Sequence, residues 1–117
     1  MATFAAGQIV LVDWRDALPK EPNKLRPAIV VEDEQGFDDD YPNVILVPLS
    51  GDRLAAPPEF ALPIDPTPEN GCTKRCYALS CYLATTSMQR VRPTRSSILP
   101  DQLDAIRRQI ALAIGVE

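Results

Sequence analysis

The segment Leu25-Arg26-Pro27-Ala28-Ile29-Val30-Val31 narrows the choice of fold more than any other stretch of the 117 residues. Ala28 to Val31 are apolar and mostly β-branched, a run too short for a confident helix and well suited to a pleated, covered surface. Pro27 has no N–H to give to a ladder, so it belongs at the beginning of such a strand or on an edge. Arg26 is thereby fixed at the strand mouth, carried by the sheet and able to turn its guanidinium into a cleft. An ordinary surface ion pair is the plainer alternative for that arginine.

Runs of the same kind recur along the chain. Gly7 to Trp14 reads as a first strand, nearly all apolar until Asp13. Arg15 to Leu25 carries two prolines and mixed charge, which makes it a connection, longer than the usual hairpin loop of roughly 2–5 residues and expected as a mobile flap beside Arg26. The second strand extends from Arg26 to about Asp33, and the acidic run Glu32 to Asp40 is expected as a solvated turn. Asn43 to Ser50 forms a third buried strand with Pro48 near its close, followed by a turn and spacer over Gly51 to Pro58. In Glu59 to Asp65, Phe60, Leu62 and Ile64 alternate with Glu59, Ala61, Pro63 and Asp65, a half-exposed strand that Pro63 marks as an edge.

Cys72 to Met88 predicts one or two strands, because Cys76 to Thr86 is rich in β-formers; Ala78, Leu79 and Leu83 leave a helix open for part of it. Arg90 to Ser97, with three arginines and a proline, is loop or short strand. After it the period changes. Pro100 stands where helices start, Asp101 lies in the first turn, and Leu103, Ile106, Ile110, Ala113 and Ile114 make an apolar stripe that Gly115 ends. The sum is a single domain over residues 1–117, mostly β with a C-terminal helix (α+β), its strands joined by hairpin-length gaps into a small curled antiparallel barrel.

The formal charge of −4 announces no global basic field, so any anion site has to be local. Acid gathers in Glu32 to Asp40, Asp65 to Glu69 and Asp101 to Asp104, whereas Arg15, Lys20, Lys24, Arg26 and Arg53 fall near one another, a pattern that permits a basic cleft on an acidic body. Neither a signal peptide nor 18 consecutive apolar residues occurs, which predicts a soluble, cytoplasmic protein. Cys72, Cys76 and Cys81 are odd in number and at spacings of four and five match no usual zinc pair. The chain has no histidine, so a metal would have to be held by thiolate and carboxylate alone, and neither a metal nor a cofactor is expected.

With these pieces in order, the chain resembles the MazF/PemK toxin family, the ribonuclease component of bacterial type II toxin–antitoxin pairs. Gly7-Gln8-Ile9-Val10-Leu11-Val12-Asp13-Trp14 is similar to the family's opening strand, Leu25 to Val31 to its Arg-Pro-hydrophobic motif, Val47-Pro48-Leu49-Ser50 to its third strand ending in Thr or Ser, and Leu99 to Gly115 to its closing helix. The resemblance implies an SH3-like barrel that dimerises, cleaves single-stranded RNA without a metal, and is inhibited by an antitoxin lying in the RNA groove, with DNA reached only through the antitoxin. It carries the catalytic arginine onto Arg26 and the catalytic hydroxyl onto Ser50; Arg90 matches a later arginine of the family. Trp14, Arg15, Lys20, Lys24, Arg53, Tyr82 and Arg90 are candidates for holding substrate.

Those residue types suit the chemistry. Attack by a ribose 2′-hydroxyl on the adjacent phosphorus piles negative charge on the phosphoryl oxygens, which a preorganised guanidinium accepts through two parallel hydrogen bonds. Without histidine a His–His acid–base pair is excluded, and proton transfer falls to Arg26, Ser50, a carboxylate or water. The chain departs from the family where an Asp-Gln pair and a following Arg are replaced by Cys81, Tyr82 and Ala84. Tyr82 and Trp14 suit stacking on unpaired bases or a place in a core or interface. Two other activities fit the same outline, a CcdB-like toxin directed at gyrase and a catalytically degenerate member that only binds its antitoxin.

Overall fold

The computed structural model describes residues 4–13, 25–38 and 40–116, and these form seven strands, three 3₁₀ turns and one α-helix. The elements are β1 (Gln8–Asp13), β2 (Leu25–Val30), β3 (Asn43–Ser50), β4 (Ala61–Ile64), β5 (Cys76–Leu79), β6 (Ala84–Ser87), β7 (Val91–Ser97) and α1 (Pro100–Ala113). Across the sheet the order is β4-β5-β3-β2-β1-β7, with β6 also on β3. Every ladder is antiparallel, as the short connections predict. β3 is the spine. Along one edge it meets β2 (Ala28↔Pro48 to Val30↔Leu46), and along the other it meets first β6 and then β5.

Strand alternation sorts the apolar residues into two cores. Val10, Val12, Ala28, Val30, Val44, Leu46 and Val91 pack with Phe4 on one face, which the curl of the sheet encloses. Ile9, Ile29, Val31, Val47, Leu49, Ile64 and Ala78 pack on the other, against Ile106 of α1. Both faces of the central strands are covered, so their sequences read as unbroken apolar runs instead of alternating ones.

The helix begins at Pro100 and is steadied by the Gln102 Oε1, which accepts the Leu99 N–H at 2.8 Å. It ends where Gly115 takes a φ of +83° and the Val116 N–H reaches back to the Ala111 carbonyl at 2.7 Å. Of the expected stripe, Ile106 is fully buried and Leu103 and Ile110 are half-buried against the core. Ala113 and Ile114 are exposed instead, as the last residue of the helix and its C-cap. Arg107 anchors the helix by donating to the Val31 and Glu32 carbonyls at 3.1 and 2.9 Å, and Ser80 Oγ donates to Gln109 Oε1 at 2.6 Å.

Several boundaries differ from the sequence reading, each for a local reason. β2 closes at Val30, three residues early, and Glu32 is not part of a solvated turn. It is buried, and its Oε1 accepts the Ile45 N–H at 3.0 Å, taking over as ladder acceptor where the strand ends. Pro27 lies in a central strand, yet it costs no bond to β3, since that ladder opens only at Ala28. The expected alternation over Glu59 to Asp65 fails at its start. Pro58–Phe60 is a 3₁₀ turn that rotates Ala61 inward, leaving Ala61 and Ile64 as the buried residues, while β4 with Pro63 is indeed an edge strand. Cys72 to Met88 holds two strands separated by the 3₁₀ turn Ser80–Tyr82, and the arginine-rich segment is the seven-residue β7, paired with β1. The Arg15 to Leu25 flap falls, up to residue 24, outside the described residues.

Gly7 joins the chain's start to both cores. Its φ is +89°, its N–H donates to the Val30 carbonyl at 2.8 Å, and its own carbonyl accepts from Ile98 at 2.9 Å. A side chain here has to adopt a left-handed backbone, so Gly7→Ala is expected to cost roughly 1–2 kcal/mol, read as a lower urea midpoint at an unchanged slope.

Candidate active site

The chain ends of four strands converge at one end of the barrel. There β1 finishes at Asp13, β2 starts at Leu25, β3 finishes at Ser50 and β7 starts at Val91. The acidic connection from β2 to β3 lies at the opposite end. Of the basic residues that the sequence groups, Arg26 and Arg53 lie at this end, with Asp13 and Asp52 beside them, and Arg15, Lys20 and Lys24 lie outside the described residues.

Arg26 sits across from Val12 in the β1–β2 ladder. The β2–β3 register pairs Ala28 with Pro48, and continuing it two residues aligns Arg26 with Ser50, both on the face of Ala28, Val30 and Leu46. The two residues proposed for the chemistry thus stand at the same end of the first core, each two residues beyond the last pair of the β2–β3 ladder. Both are half-buried, and the Arg26 Nε is shielded from solvent. Ser50 Oγ accepts the Asp52 N–H at 3.1 Å, which fixes the hydroxyl and leaves its hydrogen to donate elsewhere. Backbone pairing of Ser50 with Tyr77 ties that position to β5.

The other candidates are dispersed. Arg53 is exposed in the turn directly after Ser50, and Arg90 is exposed at the end of the 3₁₀ turn Met88–Arg90, entering β7 at the same pole. Tyr82 is 51% exposed, which rules out a core role, and its hydroxyl donates to the Ala55 carbonyl at 3.2 Å, clasping the spacer after β3. Trp14, Arg15, Lys20 and Lys24 lie outside the described residues.

One feature of the β4–β5 connection escaped the sequence reading. The Arg75 guanidinium grips Asp65 at 2.6 and 3.2 Å, and that hydrogen bond holds the Asp65 carboxyl below its ordinary value of 3.8. A depressed carboxylate contributes its stabilisation above the unfolded pKa and loses it as pH falls through the folded one. The Asp65 carboxyl resonance is thus expected to titrate below 3.8, and to return toward that value in Arg75→Gln, as followed by NMR. Nearby, Cys72, Cys76 and Cys81 are free thiols, and burial together with the neighbouring Cys76 pushes the Cys72 thiol up, away from the reactive thiolate. Among the described residues no three His, Cys, Asp or Glu side chains gather as a metal site, and no helix is long and apolar enough to cross a membrane.

Similarity to known proteins follows the same outline. MazF from Deinococcus radiodurans superposes with a TM-score of 0.74 at 16% identity, covering 97% of each chain. An endoribonuclease in complex with its cognate antitoxin, from a mycobacterial species, gives 0.69 at 16% identity over 100% of this chain and 98% of that one. The Mycobacterium tuberculosis toxin MazF-mt6 gives 0.68 at 17% identity over 94% and 98%. No curated protein matches at the level of sequence. At these identities the superpositions speak for the fold, and the family assignment comes from the sequence model of the PemK-like, MazF-like toxins of type II toxin–antitoxin systems, which matches residues 5–114. With that match spanning nearly the whole chain, from before β1 to the end of α1, the protein belongs to the PemK/MazF toxin family.

Proposed function

We propose that this toxin is a metal-independent endoribonuclease that cuts single-stranded RNA in a sequence-selective way. What supports the reading is that Arg26 and Ser50 each stand two residues beyond the pair Ala28↔Pro48, in the same strand alternation and at the same end of the sheet. In the reaction the ribose 2′-oxygen attacks the adjacent phosphorus in line, the P–O5′ bond breaks, and a 2′,3′-cyclic phosphate and a 5′-hydroxyl result. Arg26 takes up the charge growing on the non-bridging oxygens through its guanidinium fork. Ser50, its hydroxyl oriented by the Asp52 N–H, donates to the same phosphate. Arg53 and Arg90 flank the pair and serve to hold neighbouring phosphates.

The whole of residues 1–117 acts as one domain in this reading. Its partners are an antitoxin protein covering the RNA groove and a second copy of the chain, with DNA engaged only through the antitoxin and the cytoplasm as the setting. The superposable mycobacterial endoribonuclease bound to its antitoxin supports that partnership. The test is the purified protein with EDTA on a long single-stranded RNA, beside Arg26→Ala. Cleavage by the wild type alone supports the reading. Intact RNA with inhibited gyrase supports a CcdB-like toxin instead, and equal cleavage by both proteins shows that another site is responsible.

A further inference from the structure

Ser50 has a cationic neighbour outside the residues considered so far. Lys74, two positions before β5, reaches across to the residue after Ser50: a methyl group built on Gly51 would lie 3.0 Å from Lys74 Cε and 3.1 Å from its Nζ. The Ser50↔Tyr77 pairing is what brings the start of β5, and Lys74 with it, beside the end of β3. A Cβ at position 51 would press on the end of the flexible lysine side chain, which would have to yield by a few tenths of an ångström.

Two adjacent cations on this connection have different fates. Arg75 is held in a forked pair by Asp65, whereas Lys74 forms no ion pair among the described residues. Its ammonium is exposed at the active-site pole, next to a backbone turn that bears the Ser50 hydroxyl. A compact charge with three rotatable donors on a flexible stem suits a phosphate whose charge stays constant, while the planar fork of Arg26 suits the one that changes.

Resting on the ribonuclease reading above, we propose that Lys74 binds a phosphodiester of single-stranded RNA adjacent to the scissile one, across the Ser50–Gly51 turn. It is a substrate-positioning residue and not part of the bond-breaking machinery. The probe is a labelled single-stranded RNA of mixed sequence with 2′-O-methyl riboses, which binds but cannot be cut, titrated at several salt concentrations beside steady-state cleavage of unmodified RNA. Lys74→Gln is expected to weaken binding about 3- to 10-fold at low salt, to flatten the slope of log affinity against log salt by about 0.7, and to raise KM while kcat holds. Lys74→Arg retains most of the affinity. A wild type that binds and cuts RNA beside a Lys74→Gln variant of unchanged affinity and salt slope overturns this inference alone. So does a fall in kcat at constant affinity. A wild type that neither binds nor cuts RNA removes the ribonuclease reading and this one with it.

Discussion

Arg26→Lys is expected to slow RNA cleavage about 10²- to 10³-fold while leaving RNA affinity within about threefold, the size of effect seen when one preorganised oxyanion donor is removed. The substitution keeps the charge, so the Coulombic attraction of residue 26 for RNA phosphates survives. What disappears is geometry. A guanidinium presents parallel N–H donors that match two phosphoryl oxygens, and here it is carried by a strand paired with β1 at Val12. An ammonium at the same Cα has no such fork and a slightly shorter reach. Arg26→Ala loses both the charge and the donors, so its rate drops further and its affinity falls as well. Single-turnover rates at saturating protein separate the two effects. A lysine variant that cleaves as fast as the wild type refutes the assignment of Arg26 to the phosphoryl oxygens.

Ile106→Ala is expected to remove about 3–4 kcal/mol of stability, since truncation of a fully buried isoleucine loses transfer energy and leaves a cavity. Ile106 is the one completely buried residue of α1, and it reaches into the core formed by Ile9, Ile29, Val31, Val47, Leu49 and Ile64. Its neighbours are β-branched or pinned in ladders, so the site collapses poorly. Against a typical total of roughly 5–15 kcal/mol this is a large share, and the melting midpoint should fall by on the order of 10–20 °C. The exposed Leu112→Ala on the same helix serves as the control and should shift it by no more than a degree or two. Equal shifts in the two variants would mean that α1 does not dock through Ile106.

What could be read from the sequence tracks what is local. β3 was legible to the residue, because Asn43 to Ser50 is an unbroken apolar run buried on both faces, and α1 was legible from its period, its Pro100 and its Gly115. The end of β2 was not, because the burial of Glu32 depends on the amide of Ile45 thirteen residues away, a partner that only the β2–β3 register supplies. Arg26 and Ser50 were proposed by resemblance, and only the β2–β3 register puts the two at one end of the sheet. Lys74 was invisible for the opposite reason. No motif contains it, and its only distinguishing mark is that Gly51 lacks a side chain in the place where the lysine lies.

The open flanks of the sheet lead to a separate expectation about how the molecule behaves when abundant. β4, at one flank, is four residues long and contains Pro63; β7, at the other, contains Pro93 and two exposed arginines. Neither flank offers the continuous row of amide donors that strand-by-strand growth requires, and like charges on β7 repel a second copy approaching that side. Concentrated preparations should therefore stay dispersed, free of thioflavin-positive fibrils, for as long as the native fold persists.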